Sequence, residues 1–150
     1  MVKVYKIEKI EDSEIRLAIT RLMMEQMNAL SIPITEEELL KTIDLALEKH
    51  SGAEIFAAEE EEKVIGCAFL NTGIGLDKGP YIWLNDLYVH KEFRGRGIAR
   101  KMLLKVLHWA EQEGFNGLEL ETGINNIATK KLYNSLGFYD IVSKRYGRQL

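Results

Sequence analysis

Apolar residues recur at two spacings along the 150 residues, and the switch between them sets the order of elements. Val2, Val4, Tyr5 and Ile7 interleave with lysines, which predicts a first strand. Ile15, Leu17, Ala18, Leu22, Met23, Met27 and Leu30 then recur at helical spacing, with Asp12 and Ser13 placed to cap a helix beginning at Glu14. Ser31-Ile32-Pro33 breaks it, because proline lacks an N–H and restricts its neighbour. Thr35-Glu36-Glu37-Glu38 reads as a capping box. The helix it opens carries Leu39, Leu40, Ile43 and Leu47 and ends near His50, with Gly52 as its cap.

Residues 54–58 and 63–71 read as two strands joined by the acidic turn 59–62. Gly73, Gly75, Gly79 and Pro80 predict a loop over 70–80. Gly73-Ile74-Gly75 leads into no helix and is not a dinucleotide fingerprint. Residues 81–89 are apolar on both faces, which suits a central strand covered on each side. Met102, Leu103, Val106, Leu107 and Ala110 form the core face of a helix from Ile98 to about Gln112, ended by Gly114. Residues 118–122 form a short strand with Glu119 and Glu121 opposite Leu118 and Leu120. Asn125 or Asn126 caps a helix to Leu136, and Gly137 ends it. Residues 138–142 read as another strand, and 145–150 as a candidate last one. The order β α α β β β α β α β, with no repeat or linker, predicts one α/β domain over residues 1–150.

Composition narrows the class. A chain of this length buries roughly 68–70% of its unfolded surface, enough for a real core. The formal net charge of −3 gives no reason to expect nucleic acid. No run approaches the ~18 apolar residues of a membrane span, and residues 1–6 hold no apolar signal core. Both readings are compatible with a cytoplasmic protein. Cys67, alone of its kind, sits in an apolar run and reads as a small buried hydrophobe. His50, His90 and His108 are too scattered for a metal site.

The chemistry concentrates in Arg94-Gly95-Arg96-Gly97-Ile98-Ala99, between a strand end and a helix start. Free helical N–H groups and the positive end of the macrodipole favour an anion there. Small residues let a ligand approach the backbone. This is a site for a phosphate-bearing ligand.

Two signatures carry a resemblance. One is Arg94-x-x-Gly97-x-Ala99 after Leu87-Tyr88-Val89. The other is Asn126, Leu132-Tyr133 and Gly137-Phe138 after Leu120-Glu121-Thr122. At this separation and element order the chain resembles the GCN5-related N-acetyltransferase (GNAT) superfamily over nearly its whole length. The resemblance implies a mixed, mostly antiparallel central sheet that splays in its middle, with about four helices. It implies acetyl-CoA as co-substrate, with no metal. N–H groups from Arg94 through Gly95, Arg96, Gly97 and Ile98 to Ala99 would hold the pyrophosphate. The backbone of Leu87, Tyr88 and Val89 would pair with the pantetheine arm, and Asn126 would bond the cofactor near its middle. Lys130, Lys131 or Arg100 would meet the 3′-phosphate.

The implied reaction is direct attack of a primary amine on the thioester. Tyr133 matches the family tyrosine that protonates the departing thiolate. The backbone N–H of Tyr88 or Val89 would bind the oxyanion. Glu121 is the first candidate for the general base. Asp86, a charge in an otherwise apolar strand, is the competing carboxylate, and a water relay is a third route. Asn85 stands where some polyamine-acetylating relatives carry a glutamate, which weakens that reading. By the same resemblance, the acceptor would be gripped by residues ~14–50 and ~139–150. Glu25, Glu36, Glu37 and Asp44 hint at a cationic acceptor, either a small molecule or a peptide amine. Dimers are frequent in the family. The alternative reading is a non-catalytic acyl-CoA sensor or partner-docking domain.

Overall fold

In the computed structural model, which describes residues 1–8, 13–122 and 127–150, β1 (Lys3–Lys6), β2 (Ala53–Glu60), β3 (Lys63–Gly75), β4 (Gly79–Val89) and β5 (Leu118–Leu120) form one sheet in sequence order. The first four strands are antiparallel, and β5 runs parallel to β4. A parallel neighbour needs a long crossover, and α3 (Ile98–Gln112) supplies it. α1 (Ser13–Ala29) and α2 (Glu36–Ala46) cover one face. α3 covers the other, where α4 (Ile127–Ser135) adds Tyr133.

Period-two alternation divides the sheet between two cores. In β2, Ile55 and Ala57 face α1 and α2, whereas Phe56 and Ala58 face α3. Gly66 is required on the α3 side, because a Cβ there would lie 2.8 Å from the Met102 sulfur. Thr35 caps α2 by accepting from the Glu38 N–H at 3.1 Å. α1 ends in a Schellman motif, with Ser31 at φ 56° and Ile32 N–H bonding Met27 O, two residues ahead of the proline expected to break it. Gly137, at φ 86°, ends α4 the same way, with Phe138 N–H bonding Tyr133 O.

Four expectations change. The predicted 70–80 loop is a hairpin arm, with pairing continuing through Gly75↔Gly79 and only Leu76, Asp77 and Lys78 at the tip. α2 stops at Ala46 rather than near His50. β5 ends at Leu120, so Glu121 and Thr122 lie beyond it. The segments 138–142 and 145–150 form no strand. The β5 edge they would extend is three residues long, and Tyr139, Ile141 and Val142 are all exposed, whatever their parity. Asp12, Asn125 and Asn126, expected as helix caps, lie outside the described residues.

Candidate active site

The site is built where β4 loses a neighbour. β5 pairs only with Ile82, Trp83 and Leu84, so from Asn85 onward β4 has no β5 partner. At the same point β4 bulges. Leu84 pairs with Leu70 and Asp86 with Phe69, which leaves Asn85 as the extra residue. Asn71 Nδ2 donates to Asn85 Oδ1 at 2.6 Å across the bulge. The bulge shifts the phase of the strand. Ile82 and Leu84 face α3, as do Leu87 and Val89, whereas Asp86 and Tyr88 turn toward α1 and α2.

Asp86 thereby enters a cavity of about 200 Å³ lined by Ile19, Met23, Met27, Leu39, Ile43 and Cys67 among others. Burial pushes its carboxyl above the usual aspartate range. Burial and the Asp86 charge together push the Cys67 thiol up to about 12. Cys67 therefore stays a neutral thiol, not a nucleophile.

The glycine segment Arg94–Ala99 leads into the start of α3. Gly97 is the N-cap of α3 at φ 76°, and Gly95 stands at φ 78°. No side chain caps this helix end. The first bond of its ladder runs from Lys101 N–H to Gly97 O, so the N–H groups of Ile98, Ala99 and Arg100 have no intrahelical acceptor. A Cβ at either glycine would meet nothing within 4 Å, so the backbone is open to a ligand. The three arginines are already engaged. Arg94 Nε donates to Val89 O at 2.9 Å, with the guanidinium over the Tyr88 ring. Arg96 makes a bidentate pair with Glu60 at 2.8 and 3.0 Å. Arg100 donates to Ser135 Oγ at 2.7 Å, tying α3 to α4.

Tyr133, on α4, packs against the α3-side core with its ring 5.6 Å from Phe138. Burial raises its pKa, so it holds its proton. Asp86 and Tyr133 thus sit on opposite faces of the sheet. Glu121 is exposed and ion-paired with Arg145, whose guanidinium stacks over Trp83. Lys130 and Lys131 are exposed on α4, and Asn126 lies outside the described residues.

Two features escaped the sequence. His90 Nδ1 accepts the Glu92 N–H at 3.1 Å, which leaves the ring proton on Nε2, 3.4 Å from Glu25. A histidine two residues before an N–H-rich turn was the available signal. The acids that hinted at a cationic acceptor have partners of their own. Asp44 pairs with Arg16, Glu36 with Arg21 and Glu37 with Lys41.

Comparison with known proteins bears on the family and the fold. The model of the acetyltransferase (GNAT) family matches residues 17–138. Bovine (Bos taurus) thialysine N-epsilon-acetyltransferase is 35% identical over 92 residues, 59% of this chain and 54% of that protein. Salmonella typhimurium aminoglycoside N(6′)-acetyltransferase type 1 is 30% identical over 64 residues, 43% of this chain and 44% of that protein. The matches thus span about half the length of these relatives. The aminoglycoside N-acetyltransferase AAC(6′)-Iy, solved with CoA, superposes at TM-score 0.80 with 20% identity, covering 99% of this chain and 95% of that one. With the family match spanning most of its length, from α1 to the end of α4, the chain belongs to the GNAT acetyltransferase family.

Proposed function

We propose that the protein is an acetyl-CoA-dependent N-acetyltransferase acting on a primary amine. The observation that carries this is the pairing of an uncapped α3 N-terminus with a β4 edge freed of β5. An anion suits the first and an extended amide chain suits the second. The pyrophosphate of acetyl-CoA would meet the N–H groups of Ile98, Ala99 and Arg100, and its pantetheine amides would meet β4 from Leu87 to Val89. That direction brings the thioester toward the point where β5 stops pairing with β4.

In this reading the amine nitrogen bonds to the thioester carbonyl carbon and the carbonyl oxygen takes the negative charge. A β4 N–H at Tyr88 or Val89 stabilises that oxyanion. The carbon–sulfur bond then breaks, Tyr133 gives its proton to the thiolate, and the amine's surplus proton leaves to a base. We assign the base to Asp86. Its support over Glu121 is twofold. Asp86 faces an apolar cavity beside Tyr88, which raises its basicity. Glu121 is exposed and held by Arg145.

The test is thiol release from acetyl-CoA across a panel of amines. Turnover is expected, and Tyr133→Phe should lower kcat by about a hundredfold, the low end for a general acid. Tight acetyl-CoA binding with no transfer to any amine would favour a non-catalytic acyl-CoA sensor. Turnover unchanged in Tyr133→Phe would remove the acid from the scheme.

A further inference from the structure

We propose that the acceptor carries a single ammonium group on a compact apolar body, and that it sits in the cavity between α1, α2 and the sheet with its nitrogen at Asp86. This rests on the acetyl-transfer reading above and adds the class of amine.

The lining makes the case. Ile19, Met23, Leu39, Ile43, Ile55 and Cys67 are buried, and Phe69, Met27 and Ile34 are half-buried. Thr42 is the one other oxygen-bearing side chain among the lining residues, and its hydroxyl donates to Glu38 O at 3.3 Å. Among the described lining residues Asp86 is thus the sole charged group, with Thr42 the one other polar side chain. A polycation placed there would bring several charges and find one partner, and each further charge would lose its hydration without replacement. A single ammonium ion paired with one carboxylate balances that cost.

Size points the same way. A dry apolar cavity of about 150 Å³ holds a benzene ring. The ~200 Å³ here has room for one ring or a short branched chain with its amine arm. Three of the acids elsewhere on α2, Asp44, Glu36 and Glu37, face Arg16, Arg21 and Lys41, and none of them lines the cavity. Two methionines in the wall let the pocket adjust to different apolar shapes. A long acyl chain is the other apolar occupant this volume admits, but it would lay hydrocarbon against the Asp86 carboxylate.

The methionines also supply the test. Met23 and Met27 line the cavity, whereas Met102 is fully buried in the core on the opposite face of the sheet. In methyl-labelled protein, 2-phenylethylamine should shift the Met23 and Met27 resonances and leave Met102 in place. Its kcat/KM with acetyl-CoA should exceed those of spermidine and kanamycin by at least about tenfold. Thr42→Trp, at an exposed rim position, should raise KM for this amine at least about tenfold with acetyl-CoA affinity unchanged. Unmoved Met23 and Met27 methyls, a preference for spermidine or kanamycin, or shifts produced by hexanoyl-CoA and not by the amine would each overturn the inference. The underlying reading fails separately, through absence of acetyl-CoA binding by calorimetry.

Discussion

Asp86 shows how much one backbone irregularity decides. A carboxylate in an apolar strand was visible in the sequence as an anomaly. Its face was not, because strict alternation from Ile82 and Leu84 would have turned it toward α3. The extra residue Asn85 reverses the phase and delivers Asp86 to the cavity. That burial has a cost in stability with a definite sign. Its folded pKa lies above the ordinary 3.8, so within that window the folded state holds a proton the unfolded state has lost. Stability contributed by the protonated form falls as pH rises from 3.8 through the folded value and stays lower above it. Asp86→Asn should therefore melt higher than the parent at neutral pH, with the difference closing below about pH 4. A lower melting point at neutral pH would mean that the carboxylate has a stabilising partner. Cys67, its neighbour, is 1% exposed with a thiol pushed up to about 12. A thiol reagent at neutral pH should leave it unlabelled until the protein is unfolded in denaturant, and prompt labelling of the folded chain would contradict that burial.

At the scale of elements, the helices and the glycine loop were legible because their signals are local. Thr35 and Glu38 are three residues apart, and Gly97 and Gly137 mark helix ends by φ alone. The strands were less so, because a strand exists only where an edge accepts it. The glycines at 73, 75 and 79 suggested a loop, yet β3 and β4 pair across them. Residues 138–142 read as a strand, yet β5 presents only a three-residue edge. The site inherits this split. Arg94 to Ala99 stands where the motif put it, whereas the freed edge of β4 depends on where β5 stops. Gly97 permits a direct test of the helix end. Its φ of 76° costs a non-glycine residue roughly 1–2 kcal/mol, and asparagine tolerates that region better than alanine. No atom lies within 4 Å of a Cβ placed there, so the fold has room for the side chain. Gly97→Asn should melt close to the parent yet bind coenzyme A at least about tenfold more weakly, because the side chain projects into the approach to the free N–H groups. Gly97→Ala should lose more melting temperature than Gly97→Asn. Unchanged coenzyme A affinity in a folded Gly97→Asn protein would move the phosphate site elsewhere.

Taken whole, the molecule is two cores on either face of one sheet, joined firmly from β1 to β3 and opened at β4. The ligand sites proposed above belong to the open half. The first turn of α3 offers N–H groups with no intrahelical acceptor, and residues 85–89 of β4 lie beyond the reach of β5. A ligand bridging them would lock the α3 side to the sheet, whereas β1 and β2 are separated from β4 by β3. Binding to the folded state alone stabilises by RT ln(1 + [L]/Kd), about 2.7 kcal/mol at a hundred times Kd. For a chain of this size each kcal/mol moves Tm by roughly 2–4 °C or slightly more. Saturating coenzyme A should therefore raise Tm by about 5–10 °C. Hydrogen exchange should localise the effect, with amides of 87–89 and 98–100 slowing well beyond those of β1 and β2. Uniform slowing across the sheet would indicate only mass-action stabilisation of the global fold. Slowing confined to 98–100 would mean that the phosphates bind while the pantetheine arm lies away from β4. That second outcome would also remove the thioester from reach of Asp86 and Tyr133, so the exchange map tests the placement of the chemistry as well as of the cofactor.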